Sequence, residues 1–243
     1  MKIRRIVLLS VILGWTGSAA ATGETPLALL AAVPALPTAV DGARCDAAQG
    51  VIGKAQAAAQ ADMLRAQQLA MQPPRGGRIS DAQGAAIERL SDPQFTGCMM
   101  EVTRQLAEDL APLEQSLYVE LEELAEAKRR DKKLCGPSGK GADIDCFARV
   151  EAVYPEKARA AANAFLGRAG AQYGALSERT RACLSRRETA IEGVQRSGLS
   201  GMFGMQAIAS RAENWRMPAM LAETYGNLCG KAVDAAGRFG PPR

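Results

Sequence analysis

The chain of 243 residues has no histidine. That absence removes the commonest general base and metal ligand. With it go Ser-His-Asp and Cys-His catalytic sets, a di-iron bundle built on Glu-x-x-His, and covalent haem at Cys-x-x-Cys-His. No two cysteines stand in a Cys-x-x-Cys pair either, which leaves little basis for a structural zinc. Aromatic residues make up only 5% of the chain, β-branched residues are scarce and alanine abounds. Such a composition predicts helices in thin, alanine-lined contact rather than a sheet or a thick aromatic core. The expected fold class is all-α.

The first residues carry a pattern of their own. Met1-Lys2-Ile3-Arg4-Arg5 is basic, Ile6–Trp15 is apolar, and Thr16–Ala21 supplies small residues. Residues 1–21 thus read as a signal peptide cleaved after Ala20 or Ala21. The apolar run is shorter than the roughly 20 residues a bilayer requires, and no cysteine follows it to take a lipid. Without Lys2, Arg4 and Arg5 the formal charge of +4 drops by three, so the basic balance is no argument for nucleic acid. Export to an oxidising compartment makes the six cysteines three disulfides.

Six cysteines allow 15 pairings, and the spacing favours one nested set. Cys98 to Cys135 and Cys146 to Cys183 are separated equally, and Gly136-Pro137 marks a turn between them. A chain folding back there brings Cys98 opposite Cys183 and Cys135 beside Cys146, and leaves Cys45 to Cys229. The expected architecture is an elongated antiparallel helical hairpin at about 91–196, coiled-coil-like and bound by disulfides, with flanking helices packed on it.

The hairpin's arms carry the clearest periodicity. Ser91-Asp92-Pro93 is a capping start, followed by Cys98, Val102, Leu106, Leu110, Leu113, Leu117, Leu121 and Leu124 in steps of three and four, close to a heptad seam. Pro112 is expected to kink or break this arm near Asp109. Lys128, Arg129, Arg130, Lys132 and Lys133 suit the negative end of the helix dipole. The returning arm, from about Asp145 with a restart at Pro155, carries Ala162, Phe165, Ala169, Tyr173, Leu176, Thr180, Cys183, Ile191 and Val194. Only Arg187 interrupts that seam. Gly167, Gly170 and Gly174 mark either a close helix approach or a flexible point.

Around the hairpin, 22–42 reads as an irregular apolar lead-in broken by Pro26, Pro34 and Pro37. A first helix at Ala43–Gln72 has the stripe Ala47, Val51, Ala55, Ala58, Met63, Leu64 and Leu69 and ends at Pro73-Pro74. Ser80 or Asp81 caps a short helix to Leu90. Ser197–Met205 is a glycine break, followed by short helices at Gln206–Glu213 and Pro218–Cys229. One helical domain at 43–236 and a flexible tail at 237–243 complete the expected organisation.

Few motifs carry chemistry. Glu120, Glu122, Glu123 and Glu126 form a carboxylate run best read as a solvated helix face. Gly136–Gly141 resembles a phosphate loop but has Leu134 and Gly141 where the pattern needs glycine and Ser or Thr. Asp143 and Asp145 lack the later ligands of a calcium loop. Met202-x-x-Met205 and Met217-x-x-Met220, with Met63 and Met99-Met100, offer thioethers of the kind that bind Cu(I). Their apolar neighbours Leu199, Phe203, Ile208, Trp215 and Leu221 favour an adaptable hydrophobic contact instead. The candidate partner contact is therefore Leu199, Met202, Phe203, Met205, Trp215, Met217 and Met220, with no catalytic, cofactor or metal residue assigned. The expected function is a non-enzymatic, exported binding or scaffold protein of the bacterial envelope with a protein partner, such as a part of a secretion or pilus apparatus. A periplasmic holdase-type chaperone is the alternative, and methionine-based copper handling a further one.

Overall fold

The computed structural model describes residues 24–71, 79–136, 143–199 and 201–240. The expected signal peptide, the prolines after Gln72, the glycine-rich loop beyond Gly136 and the last three residues lie outside them. Among the described residues the chain is helical and has no strand. The short helices α1 (Pro26–Ala31) and α2 (Gly42–Cys45) come first. A 3₁₀ turn at Asp46–Ala48 leads from α2 into α3 (Gln49–Ala70), and α4 (Asp81–Leu90) precedes the long arms α5 (Pro93–Leu134) and α6 (Ile144–Arg196). The chain ends in α7 (Gly201–Asn214) and α8 (Arg216–Gly237).

Local chemistry explains where these helices begin. The carboxylate of Asp92 accepts from the Gln94 amide at 2.8 Å with Pro93 in the first turn, so one orphan donor is satisfied and another is removed. Asp143 likewise accepts from the Cys146 amide at 2.8 Å. Ser80 and Gln83 exchange side chain-to-backbone hydrogen bonds in a capping box at the start of α4. Between α6 and α7, Gly198 and Gly201 take positive φ of 69° and 65°, which only glycine adopts at no steric cost. A Cβ on Gly204 would stand 2.8 Å from the Leu199 carbonyl oxygen.

The arms α5 and α6 lie antiparallel, linked by Cys98–Cys183 and Cys135–Cys146, while Cys45–Cys229 ties α2 to α8. These are the nested pairs suggested by the spacing. At 1.5 Å per residue α5 is roughly 63 Å long and α6 roughly 80 Å. Every seam position named for the returning arm is buried, from Ala162 to Val194.

Neither proline breaks its arm. Helix α5 runs unbroken through Pro112 and α6 through Pro155. Pro112 faces solvent, while Leu110 and Leu117 on either side are anchored in the core. Packing outweighs the roughly 3 kcal/mol an interior proline costs. Gly167, Gly170 and Gly174 of α6 are not close-approach sites either, because a Cβ at any of them would meet no atom within 4 Å.

Helix α6 is the hub. It packs on α5, α8, α7 and α4, the last two meeting it near its C-terminus at Ile191 and Val194. The large core joins Phe165, Leu166 and Leu176 of α6 to Leu110 and Leu117 of α5 and Leu221 and Tyr225 of α8. A smaller cluster joins Ile191 and Val194 to Ala86, Leu90 and Ala207. The scarce tyrosines pin helices through their hydroxyls: Tyr173 donates to the Leu221 carbonyl, Tyr225 to the Arg44 carbonyl and Tyr154 to the Asp131 carboxylate. Burial and that carboxylate push the Tyr154 hydroxyl up to about 12.

Three boundaries also shift. Part of the lead-in is helical, since α1 buries Leu29 and Leu30 on the body. The glycine break is shorter than expected, because α7 begins at Gly201. Helix α8 continues past Cys229 to Gly237, and residues 238–240 are held. Phe239 stacks edge-on against Tyr154 with Lys128 over its ring, and Arg238 pairs with Glu122.

Candidate functional site: an open groove over a buried polar junction

The expected contact set divides into core and surface. Trp215 and Met217 are only 5% and 1% exposed and cannot present a surface. Met220 packs against the large core and Leu199 against the smaller one. Phe203 and Met205 are half-buried, and Met202 lies open. The apolar surface near Met202 instead comes from a helix far away in sequence.

Helix α3 supplies it. The Cys45–Cys229 bond and the Asp62–Arg211 salt bridge fix α3 antiparallel to the α7–α8 line. Val51, Ala55, Asp62 and Ala66 are its buried positions, so Met63 and Leu64, expected in the core stripe, turn outward. They line an open groove of about 640 Å³ with Ala59 and Gln60 on one wall and Ala209, Ala212, Glu213 and Arg216 on the other. Met71 lies nine positions beyond Asp62, and Met202 nine before Arg211. The two methionines therefore stand at one level of the antiparallel pair. At about 100° per residue each is half a turn from the salt bridge, beyond the residues that line the groove. Met63, Leu64, Met71 and Met202 are 48%, 60%, 79% and 66% exposed. Arg65 and Arg216, one on each helix, have no ion-pair partner among the described residues.

Beneath the groove lies a polar junction that the sequence reading missed. Arg211 gives Nε and Nη2 to the two carboxylate oxygens of Asp62 at 2.8 and 2.6 Å, and the Trp215 indole N–H donates to Asp62 at 2.8 Å. Beside this triad, buried Arg187 donates through Nε to the Asn214 amide oxygen and through Nη2 to Glu213. Asn214 in turn donates through Nδ2 to Glu188. Its hydrogen bond to Asp62 raises the guanidinium pKa of Arg211. Burial lowers that of Arg187 against the pull of Glu213, and burial raises that of Glu188 against the Asn214 hydrogen bond. Two signals pointed here: Arg187 interrupting an otherwise apolar seam, and Asp62 falling in phase with Val51, Ala55 and Ala66.

Other charged motifs resolve into ion pairs. Glu120 reaches Arg168 at 3.8 Å and Glu126 reaches Arg129 at 3.9 Å. Lys128 and Lys132 both bind Glu151, which holds its carboxyl below the usual range. A second groove of about 740 Å³ runs between α5 and α8 past Leu117, Tyr118 and Ala235, and Glu114–Lys231 and Glu122–Arg238 bridge it. Among the described residues no group of three or more acidic or cysteine side chains is placed to hold a metal ion, and no helix is long and apolar enough to cross a membrane. No protein-family model, curated protein or solved structure matches the chain.

Proposed function

We propose that this is an exported, non-enzymatic binding protein of the bacterial envelope that holds the apolar face of a partner's helix in the α3–α7 groove. The observation that carries the reading is the exposure of Met63, Leu64, Met71 and Met202 on two adjacent helices. Scattered apolar side chains on a surface need no explanation, but Met63 and Leu64 line a groove and do. On α3 the groove wall runs from Ala59 to Leu64, about 8 Å or one and a half helical turns, enough to seat one turn of a partner helix in helix-in-groove recognition. Methionines fit that role because unbranched thioether side chains repack around different surfaces. Arg216, which lines the groove, favours a partner helix with an acidic residue beside its apolar face.

Three disulfides fit a protein that resides outside the reducing cytosol. The signal-peptide pattern of residues 1–21 supports periplasmic or secreted location, and a place in a secretion or pilus assembly is one concrete form of the function. A combined Met63→Ser, Leu64→Ser and Met202→Ser variant tests the contact. The wild-type protein should recover a discrete partner from an envelope extract of its own cells, and the variant, with unchanged Trp215 emission, should lose it. Equal recovery by both proteins refutes the groove as the contact. Suppressed aggregation of many unrelated clients, with no discrete partner, would favour a holdase.

A further inference from the structure

We propose that Glu188 is a pH-sensitive latch: its neutral form holds α7 on α6, and its ionisation loosens α7, which forms one wall of the groove. The functional meaning of the latch rests on the groove being the binding site, but the latch itself does not.

Glu188 is 7% exposed and receives a hydrogen bond from the fully buried, uncharged amide of Asn214. Charged groups face it from every side, yet no salt bridge reaches it among the described residues. On α7, Arg211 is committed to Asp62 of α3, and Glu213 pairs with Arg187. On α6 itself, Arg187 lies one residue away and engages Asn214, while Glu192 adds like charge one turn on. Asp62 adds more like charge from α3. Helix α4 packs on this end of α6 through Ala86 and Leu90, with its Arg89 against Gly193.

A carboxylate buried without a cation is costly, whereas the protonated acid is not. Burial accordingly raises the carboxyl above its ordinary value. A raised acid favours the closed junction at low pH. As pH rises from the ordinary carboxylate range through the raised value, the junction must either bury a charge or open, so closure weakens.

Trp215 is a built-in reporter. The chain has two tryptophans, Trp15 and Trp215, so protein lacking residues 1–21 emits from Trp215 alone, whose indole is bonded to Asp62 within this junction. Emission and amide exchange are to be followed from pH 4 to pH 8 in the disulfide-intact protein and in Glu188→Gln. Wild type should red-shift as pH rises. After correction for the base-catalysed intrinsic rate, its α7 amides should lose protection by up to about tenfold per pH unit between the ordinary and raised carboxyl values, with α5 protection unchanged. Glu188→Gln, which still accepts from Asn214, should remain flat. Asn214→Asp removes the amide donor and adds like charge, so its transition should move to higher pH, or the variant should stay open throughout. A flat wild-type profile, or the same profile in wild type and Glu188→Gln, overturns the latch. No partner is needed for this experiment, so its failure leaves the groove reading intact.

Discussion

Helix α6 passes through two interiors built on opposite principles. Along α5 and α8 it buries Phe165, Ala169, Tyr173 and Leu176 among leucines and alanines, and disulfides cross that region. One turn past Cys183 it presents Arg187 and Glu188 to a cluster of Asp62, Arg211, Asn214 and Trp215. The first interior is non-directional: any side chain of suitable volume contributes, and loss scales with the cavity left. The second is directional, since each group is satisfied only by particular atoms, and removing one orphans another. The directional interior supports the open groove, where α3 and α7 must be held in one register although their outer faces stay uncovered.

That contrast is most sharply broken at Asp62. Asp62→Ala should cost about 3 kcal/mol, because it leaves the partly buried Arg211 guanidinium and the buried Trp215 N–H without their acceptor. Denaturant unfolding followed by Trp215 emission measures it. Replacing both charges, as Asp62→Leu with Arg211→Met, should restore most of the loss, since well-packed apolar groups often equal a buried ion pair. If the double variant is as unstable as Asp62→Ala, orphaned charge is not the cause.

On the apolar side, removing the Cys98–Cys183 bond by paired serine substitutions should cost about 2–5 kcal/mol, since it frees a loop spanning 85 positions in the unfolded chain. The effect should appear as a lower denaturation midpoint with the α3–α7 junction undisturbed. A change in Trp215 emission in the folded variant would show that the two regions are not separable. The smallest effects belong to Gly167, Gly170 and Gly174. Alanine at each meets open space, so each substitution should stabilise by about 0.4–1 kcal/mol through lower backbone entropy of the unfolded chain. Loss of stability instead would mean a neighbour packs there.

The same contrast accounts for how far the sequence could be read. The all-α class, the out-and-back arms and the α6 seam were legible because apolar burial leaves a period of three and four. Equal cysteine spacing suggested the nested pairs seen in the structure for a related reason, as two antiparallel helices of equal rise align equal residue counts. Helix ends at Leu134 and Gly237 differ in legibility. The first has its cations and glycine, whereas α8 outlasts its expected end because Ala232, Ala235 and Ala236 find a core.

The junction was illegible because its partners are up to 153 positions apart and a buried aspartate looks like a surface residue in sequence. That single misreading displaced Met63 and Leu64 inward in the expected stripe and hid one wall of the groove. Trp215 and Met217 erred the other way: methionine and tryptophan suit both contact surfaces and interiors, and only the fold decides between them.

The most direct test compares the two grooves in one experiment. A photoreactive residue is placed at Leu64 in the α3–α7 groove, at the exposed Met202 of α7, or at Tyr118 in the α5–α8 groove, and cells are irradiated with the protein in its own envelope. The account predicts one discrete adduct of the same mass from positions 64 and 202 and none from 118. An adduct from 118 alone, or no adduct from 64 and 202 while the protein is folded and exported, would contradict it.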